Sequence, residues 1–217
     1  GDLLNKFSPD VTLWVSSPTW ANHKGIFTAS GFSIKDYPYY NPDTKDVDFE
    51  GMIAALEAVP AGDIVLMHVC CHNPTGVDLS AAQWKQAAAV AREKGWTPFL
   101  DFAYQGFGDS IEADRAAVEC FAEAGVGFYV ASSFSKNFGL YCERTGALTI
   151  VCPTKEEAAI AASHVKLTVR VNYSNPPSHG GLAANEVLND AALYEQWIGE
   201  VAEMRDRIKD MRSALVD

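Results

Sequence analysis

The chain has 217 residues, of which 48% are hydrophobic and 21% are charged, as in an ordinary globular protein. A chain of this length suits one domain with a sizeable core. Its formal net charge of −11 at pH 7 argues against nucleic acid and anionic membranes as partners.

The five cysteines are odd in number and show neither a CxxC motif nor a Cys/His zinc spacing. We therefore expect free thiols, no metal site and a reducing compartment. No apolar run approaches the length of a membrane span, and no signal or transit peptide is visible. A cytoplasmic location is expected, with a mitochondrial one left open.

Short apolar runs bounded by turn residues alternate with helical patterns, and such runs are typical of strands buried on both faces. Strands are predicted over residues 11–17, 31–40, 63–70, 97–104, 126–133 and 146–152. Helices are predicted over residues 81–94, 112–124, 155–167 and 191–215. The alternation predicts an α/β fold, a three-layer sandwich with a mostly parallel sheet.

Local signals mark where several of these helices begin and end. Ser80 with Gln83 forms a capping box, and Thr154 with Glu157 opens the third helix in the same way. Gly95 suits the left-handed residue that ends a helix. The last helix carries one apolar stripe at spacings of three and four residues.

The stretch ASSFSKNFGLYCER carries the most informative residue, Lys136, which lies among Ser133, Ser135 and Gly139, with Arg144 further on. A lysine amine can form a Schiff base with an aldehyde. Hydroxyl groups and a guanidinium can hold a phosphate beside it. These residue types suit a pyridoxal phosphate site, although a lysine in a polar loop is more often simply solvated.

Two residues of TPFLDFAYQGF complement that lysine. Asp101 follows an apolar run that would deliver it to the carboxyl edge of the sheet, where open α/β sheets bind ligands. Its carboxylate could keep a pyridine nitrogen protonated. Tyr104 could donate a hydrogen bond to the ring oxygen O3′. The ordinary alternatives are a capping aspartate and a half-buried aromatic.

Two further segments contain residues that fit the same site. Asn73, in the polar turn HNPTG, could also contact O3′, and Trp20, in SSPTWANH, could stack on a cofactor ring. His23 could hydrogen-bond Asp101 from behind. Taken singly, these residues have ordinary explanations as turn, core and loop residues.

Five motifs occur in one order along the chain: SSPTWANH, HVCCHNPTG, DFAYQGF, SSFSKNFGLYCERTGAL and VRVNYSNPP. In this the chain resembles the aspartate aminotransferase family, the class I group of pyridoxal phosphate enzymes, which also includes aromatic aminotransferases. The resemblance runs from about Val11 to the C-terminus. It implies the large domain of fold type I, incomplete, with six of its usual seven strands.

The resemblance implies a catalytic role for three residues. Lys136 would bind the cofactor covalently and shuttle a proton, and Asp101 would pair with the pyridinium nitrogen. Tyr104 would contact O3′. His23 and His68 would lie behind Asp101.

The resemblance also implies the remaining binding residues. Asn73 would contact O3′, Trp20 would stack on the ring, and both would also face the substrate. Ser133 and Arg144 would bind the phosphate. Arg170 would reach across a homodimer and bind the side-chain carboxylate of the substrate in the neighbouring site; without the resemblance, it reads as an exposed basic residue at a helix end.

Members of this family are longer than this chain. Their N-terminal phosphate loop and their arginine for the substrate α-carboxylate have no counterpart in these residues. Residues 1–190 are therefore expected to form the large cofactor-binding domain without its N-terminal part. Residues 191–217 would form a helix that leads to an absent small domain, and a polypeptide of only these residues would be inactive.

The resemblance implies transamination between L-aspartate and 2-oxoglutarate, which gives oxaloacetate and L-glutamate. The substrates would be small dicarboxylic amino and keto acids. Three alternatives stay open: an aromatic or broad-specificity aminotransferase, a fold type I decarboxylase or lyase, and a folded core domain without turnover.

Overall fold

The structure is a computed structural model that describes residues 1–216. Its strands are β1 (Thr12–Ser17), β2 (Ser33–Pro38), β3 (Tyr40–Asn41), β4 (Asp46–Val47), β5 (Ile64–His68), β6 (Thr97–Phe102), β7 (Phe128–Ser133) and β8 (Gly146–Val151). Its helices are α1 (Asp2–Phe7), α2 (Ala21–Ala29), α3 (Phe49–Glu57), α4 (Ala81–Lys94), α5 (Ala116–Glu123), α6 (Lys155–Asn172), α7 (Ser178–Asn189) and α8 (Ala191–Val216).

Six strands form the main sheet in the order β2-β1-β5-β6-β7-β8. All neighbouring pairs are parallel except β7 and β8, which are antiparallel. In this register, Asp101 lies beside His68 on one side and Ala131 on the other. The ends of β5, β6 and β7 therefore meet at one edge of the sheet, and the predicted mostly parallel α/β fold is confirmed.

The core lies on both faces of this sheet, and β5 shows how one strand supplies both. All five of its residues are buried. Val65 and Met67 belong to one apolar cluster, whereas Ile64 and Leu66 belong to another. Successive side chains of a strand point to opposite faces, so a continuous apolar run is what a central strand between two helical layers requires.

The predicted helix signals are present in the structure. The Ser80 hydroxyl accepts a hydrogen bond from the Gln83 amide, and the Gln83 side chain accepts one from the Ser80 amide. Gly95 ends α4 in the left-handed region at φ 77°. The Thr154 hydroxyl accepts from the Glu157 amide and so caps α6, which continues past residue 167 to Asn172.

Several predicted bounds were wrong. The strand predicted over 31–40 ends at Pro38, because the chain turns into the short antiparallel hairpin of β3 and β4. The strand predicted over 97–104 ends at Phe102 and leaves Tyr104 in a loop. The helical region predicted over 112–124 contains a 3₁₀ turn before α5.

Four helices were not predicted: α1, α2, α3 and α7. Helix α2 begins after Trp20 without a side-chain cap and contains Gly25, so its sequence carries few helix signals. Helix α3 does carry one, since the Asp48 carboxylate accepts from the Gly51 amide.

Helix α8 packs on the domain through its N-terminal half. Val201 is buried there, and the Trp197 indole donates to the Asn137 carbonyl at 2.7 Å. The Trp197 ring also stacks on Phe138 at 4.5 Å between centroids. Further along, the apolar stripe becomes exposed, with half of the Met211 side chain in solvent.

Among residues 1–216, no helix is both long enough and apolar enough to cross a lipid bilayer.

Candidate functional site

The candidate site lies where β5, β6 and β7 end. His68 closes β5, Asp101 lies near the end of β6, and Lys136 follows β7 in the loop after Ser133. Because parallel strands deliver their carboxyl ends to one edge, three distant parts of the sequence converge there. The sheet thus brings together residues that the sequence separates.

Asp101 is held from behind by a buried histidine. The His23 Nε2 atom lies 3.0 Å from the Asp101 Oδ2 atom, and only 4% of His23 is exposed. The Trp20 ring meets the His23 ring edge-on at 5.2 Å between centroids, while Trp20 itself stays 40% exposed. The predicted contact between His23 and Asp101 is present, and Trp20 borders it with an accessible ring.

A chain of hydrogen bonds continues behind His23. The backbone N–H of Asn73 donates to His68 Nδ1 at 3.3 Å, and His68 Nε2 lies 3.2 Å from the Thr19 hydroxyl. That hydroxyl lies 2.8 Å from His23 Nδ1. The side chains of His68 and Asp101 are therefore linked by hydrogen bonds through Thr19 and His23.

The direction of this chain follows from its first donor. A backbone N–H can only donate, so neutral His68 accepts at Nδ1 and donates from Nε2 to Thr19. The Thr19 hydroxyl then has its proton free for His23 Nδ1, and His23 donates from Nε2 to Asp101. The Asp101 carboxylate is the final acceptor of this chain.

Burial keeps His68 and His72 neutral. Burial, followed by the neighbouring His72 and His23, lowers the pKa of His68 to about 3. Burial and then His23 lower the pKa of His72 to about 4. A neutral His68 is the form that the hydrogen-bond chain requires.

Lys136 lies over the ring of Tyr104, with Nζ 4.8 Å from the ring centroid. Among residues 1–216, no carboxylate lies within ion-pair distance of that amine, which leaves it free for covalent chemistry. Burial raises the pKa of the Tyr104 phenol, and a hydrogen bond with the Asn73 side chain acts in the opposite direction. Lys136, Tyr104 and Asn73 thus form one group.

The predicted phosphate ligands make local hydrogen bonds. The Ser133 hydroxyl accepts from the Ser135 amide at 3.2 Å. Arg144 is exposed, has φ 54°, and donates from its guanidinium to the Tyr141 carbonyl at 2.9 Å. Their assignment to a phosphate stays a prediction.

Arg170 lies in the last turn of α6, away from this group. It is exposed, and its guanidinium donates to the Ser174 hydroxyl. Its predicted role concerns a neighbouring chain and stays a prediction.

The sequence analysis missed Thr19 and His72. The His72 ring lies 2.9 Å from the Ser16 hydroxyl and 2.8 Å from the Thr75 hydroxyl, and stacks on Tyr39 at 3.9 Å between centroids. It fixes the start of the turn that carries Asn73. Both residues fall inside the quoted motifs, which was the signal available.

A cavity of about 940 Å³ opens beside the group, and both Tyr104 and Lys136 line it. Its other walls are the loop after β5, the segment before α5 and the C-terminal half of α8. The amine therefore has open space next to it.

The groups present fit the cofactor that the resemblance implies. Asp101 is an anionic acceptor suited to a pyridinium N–H, and Lys136 is an unpaired amine suited to an aldehyde. Tyr104 and Asn73 supply hydrogen-bond donors between them.

A mostly parallel α/β sheet that presents this lysine and this supported aspartate at its carboxyl edge has the arrangement expected of a pyridoxal phosphate site. The family model for aminotransferases of class I and II matches residues 2–217, and the chain belongs to that family.

Similar proteins carry both aspartate and aromatic aminotransferase names. The chain is 50% identical to an aspartate aminotransferase of Pseudomonas aeruginosa and 49% identical to a tyrosine aminotransferase of Klebsiella pneumoniae. In each case 100% of this chain and 54% of the relative are covered. A crystal structure of an aromatic-amino-acid aminotransferase from Burkholderia pseudomallei, covalently bound to pyridoxal phosphate, superposes with a TM-score of 0.97 at 51% identity.

That superposition covers 99% of this chain and 54% of the solved one. The chain spans about half the length of the curated relatives that it matches.

Proposed function

We propose that these residues belong to a pyridoxal phosphate-dependent aminotransferase that moves the amino group between L-aspartate and 2-oxoglutarate. The observation that carries the proposal is the hydrogen bond between Asp101 and buried His23, at the sheet edge that also presents Lys136. Family membership and the resemblance of the motifs support it.

In this proposal each residue has a separate task. The bound cofactor supplies an electron sink for the electrons released at the substrate Cα. Asp101 holds the proton on the pyridine nitrogen. Lys136 would bind the cofactor through its amine. The same amine would then move the proton between the substrate Cα and the cofactor C4′. Tyr104 and Asn73 hold O3′, and the accessible face of Trp20 covers the ring.

The other binding residues surround this centre. Ser133 and Arg144 would bind the phosphate. The Arg144 guanidinium would give up its hydrogen bond to the Tyr141 carbonyl and contact the phosphate with two N–H groups. Trp20 and Asn73 would also border the substrate.

The substrate carboxylate is assigned to Arg170 of a second copy of the chain in a homodimer. Around Arg170, three apolar side chains are largely exposed: Leu167 at 57%, Val171 at 83% and Tyr173 at 55%. Such a patch on one helix end favours a protein partner that covers it. A second copy would cover it and present Arg170 at the neighbouring site.

An aromatic or broad-specificity aminotransferase is the second candidate. The names of the similar proteins favour it, because tyrosine and aromatic enzymes match this chain as closely as the aspartate enzymes do. Solved aromatic enzymes include one from Psychrobacter that was co-crystallised with aspartic acid.

The proposed domain organisation follows the same reasoning, with residues 1–190 as the cofactor-binding domain and residues 191–217 as a connecting helix. The exposed half of the α8 stripe supports it. The expected cytoplasmic location stays a prediction, since the relatives include enzymes named mitochondrial and chloroplastic.

The variant Asp101→Asn tests this function in the full-length protein. We expect transamination to slow by several orders of magnitude, because a neutral amide does not keep the pyridine nitrogen protonated. Asp36→Asn, in a surface ion pair with Lys24, is the control and should keep its rate. Near-normal turnover by an Asp101→Asn protein with cofactor bound, as seen in its visible spectrum, would refute the assignment.

A further inference from the structure

Two adjacent cysteines, Cys70 and Cys71, follow β5, and both line the large cavity beside Lys136. In a regular strand, neighbouring side chains point to opposite faces. Cys71 breaks that alternation because it lies in the left-handed region at φ 50°. The turn therefore places two consecutive thiols at one cavity.

The backbone of this pair is fixed from one side. One carboxylate oxygen of Asp78 accepts from the Cys71 amide at 2.6 Å, and the other accepts from the His72 amide at 2.8 Å. A ligand that bridges both thiols therefore meets a dipeptide whose backbone is already ordered, which lowers the entropic cost of binding.

The neighbouring Cys71 side chain, followed by burial, raises the pKa of the Cys70 thiol. A thiol that is protonated and buried reacts poorly with alkylating reagents, because the thiolate is the reactive nucleophile. A ligand that takes both sulfurs together gains from their proximity instead.

The cavity has room and suitable walls for such a ligand. Its volume is about 940 Å³, and Trp84, Phe107 and Ile208 contribute apolar side chains to its lining. A small aryl group attached to the bridging atom would be accommodated there.

The number of available ligand atoms selects the chemistry. Structural divalent metals such as zinc need about four protein ligands. Among residues 1–216, no group of three or more histidine, cysteine, aspartate or glutamate side chains is placed to hold a metal. Trivalent arsenic bonded to one organic group needs only two thiols.

We propose that Cys70 and Cys71 form a dithiol binding site for trivalent organoarsenicals. Two As–S bonds form, the arsenoxide oxygen leaves as one water that carries both thiol protons, and arsenic stays trivalent. Sulfur is not oxidised, so no further reactant is required. The proposal does not rest on the proposed transamination, although the two thiols and Lys136 line the same cavity.

The probe is phenylarsine oxide, added to the full-length protein after reduction with a phosphine, which does not compete as a thiol. Intact mass should show one phenylarsenic group per chain that survives excess 2-mercaptoethanol and is removed by 2,3-dimercaptopropanol. Trypsin should place it on residues 46–85, which contain Cys70 and Cys71 and no other cysteine.

Single substitutions separate this pair from the other cysteines. Cys70→Ser and Cys71→Ser should each lose the adduct that survives 2-mercaptoethanol, whereas Cys142→Ser, at an exposed position, should keep it. Iodoacetamide should modify Cys142 at least tenfold faster than Cys70, because alkylation requires the thiolate form of the cysteine.

An adduct on another peptide, or one that persists in Cys71→Ser, would overturn the proposal, as would no adduct on the unsubstituted protein. The peptide map of the unsubstituted protein decides the matter even if a variant fails to fold. Circular dichroism of each variant shows whether its result counts.

Discussion

Thr19 joins the two histidines behind Asp101, and its single hydroxyl serves as acceptor for one and donor to the other. A side chain of the same shape without the hydroxyl would leave both His23 Nδ1 and His68 Nε2 without partners. The direction of the hydrogen bond from His23 to Asp101 therefore depends on a residue that does not contact Asp101.

Thr19→Val should lower the free energy of unfolding by about 1–3 kcal/mol, the cost of leaving buried polar groups unpaired. Urea unfolding measures this directly. Thr28→Val, at an exposed position of α2, is the matched control and should change stability little. Equal losses of unfolding free energy in both variants would show that the Thr19 hydroxyl does not stabilise the fold through its hydrogen bonds to His23 and His68.

The two neutral histidines predict how stability depends on pH. The pKa is lowered to about 3 for His68 and to about 4 for His72. In the unfolded chain a histidine has a pKa of about 6.5, so between that pH and the lowered pKa the unfolded chain binds protons that the folded chain does not bind. Stability from this source is complete above pH 6.5 and falls as the pH drops towards 4.

Each histidine should cost about 1.4 kcal/mol per pH unit in that window. Urea titrations between pH 6.5 and 5 would measure the slope. His72→Gln should reduce it, and His179→Gln, on the exposed start of α7, should leave it unchanged. A slope that His72→Gln does not alter would contradict the assignment.

At the scale of elements, α6 carries Arg170 to the protein surface in its last turn. A bidentate guanidinium–carboxylate contact is worth about 1.5–3 kcal/mol. At about 1.4 kcal/mol per tenfold, Arg170→Leu should reduce kcat/KM for aspartate by about tenfold to a hundredfold. Phenylalanine should lose much less.

Lys166→Leu, another exposed cation of α6, is the matched control. Equal losses for aspartate and phenylalanine would indicate misfolding or another role for Arg170. Because the contact is assigned to the neighbouring chain, hybrids of Arg170→Leu with Lys136→Ala chains should regain one working site. Hybrids without activity would place Arg170 in its own chain's site.

The elements that the sequence predicted best are those with complete local signals. Helix α4 has a capping box at Ser80 and a left-handed glycine at its end, and β5 is a continuous apolar run. Helix α2 has neither a side-chain cap nor a strong apolar face. It is stabilised instead by the tertiary packing of Phe27 and His23. Such packing is not visible in local sequence.

At the scale of the whole molecule, the strand order brings the site together. The mostly parallel sheet and the contact between His23 and Asp101 could be predicted from motifs. The link through Thr19 could not, because it depends on where α2 lies against β5. The same holds for the cavity between α8 and the loop of Cys71.

The central claim is that Lys136 is the residue that binds the cofactor. The direct measurement is to add pyridoxal phosphate to the full-length protein, reduce with borohydride and map the tryptic peptides. We predict the adduct on Lys136, with cleavage there blocked, so that residues 116–144 appear as one peptide. An adduct on Lys166 or another lysine, with Lys136 unmodified, would contradict the account.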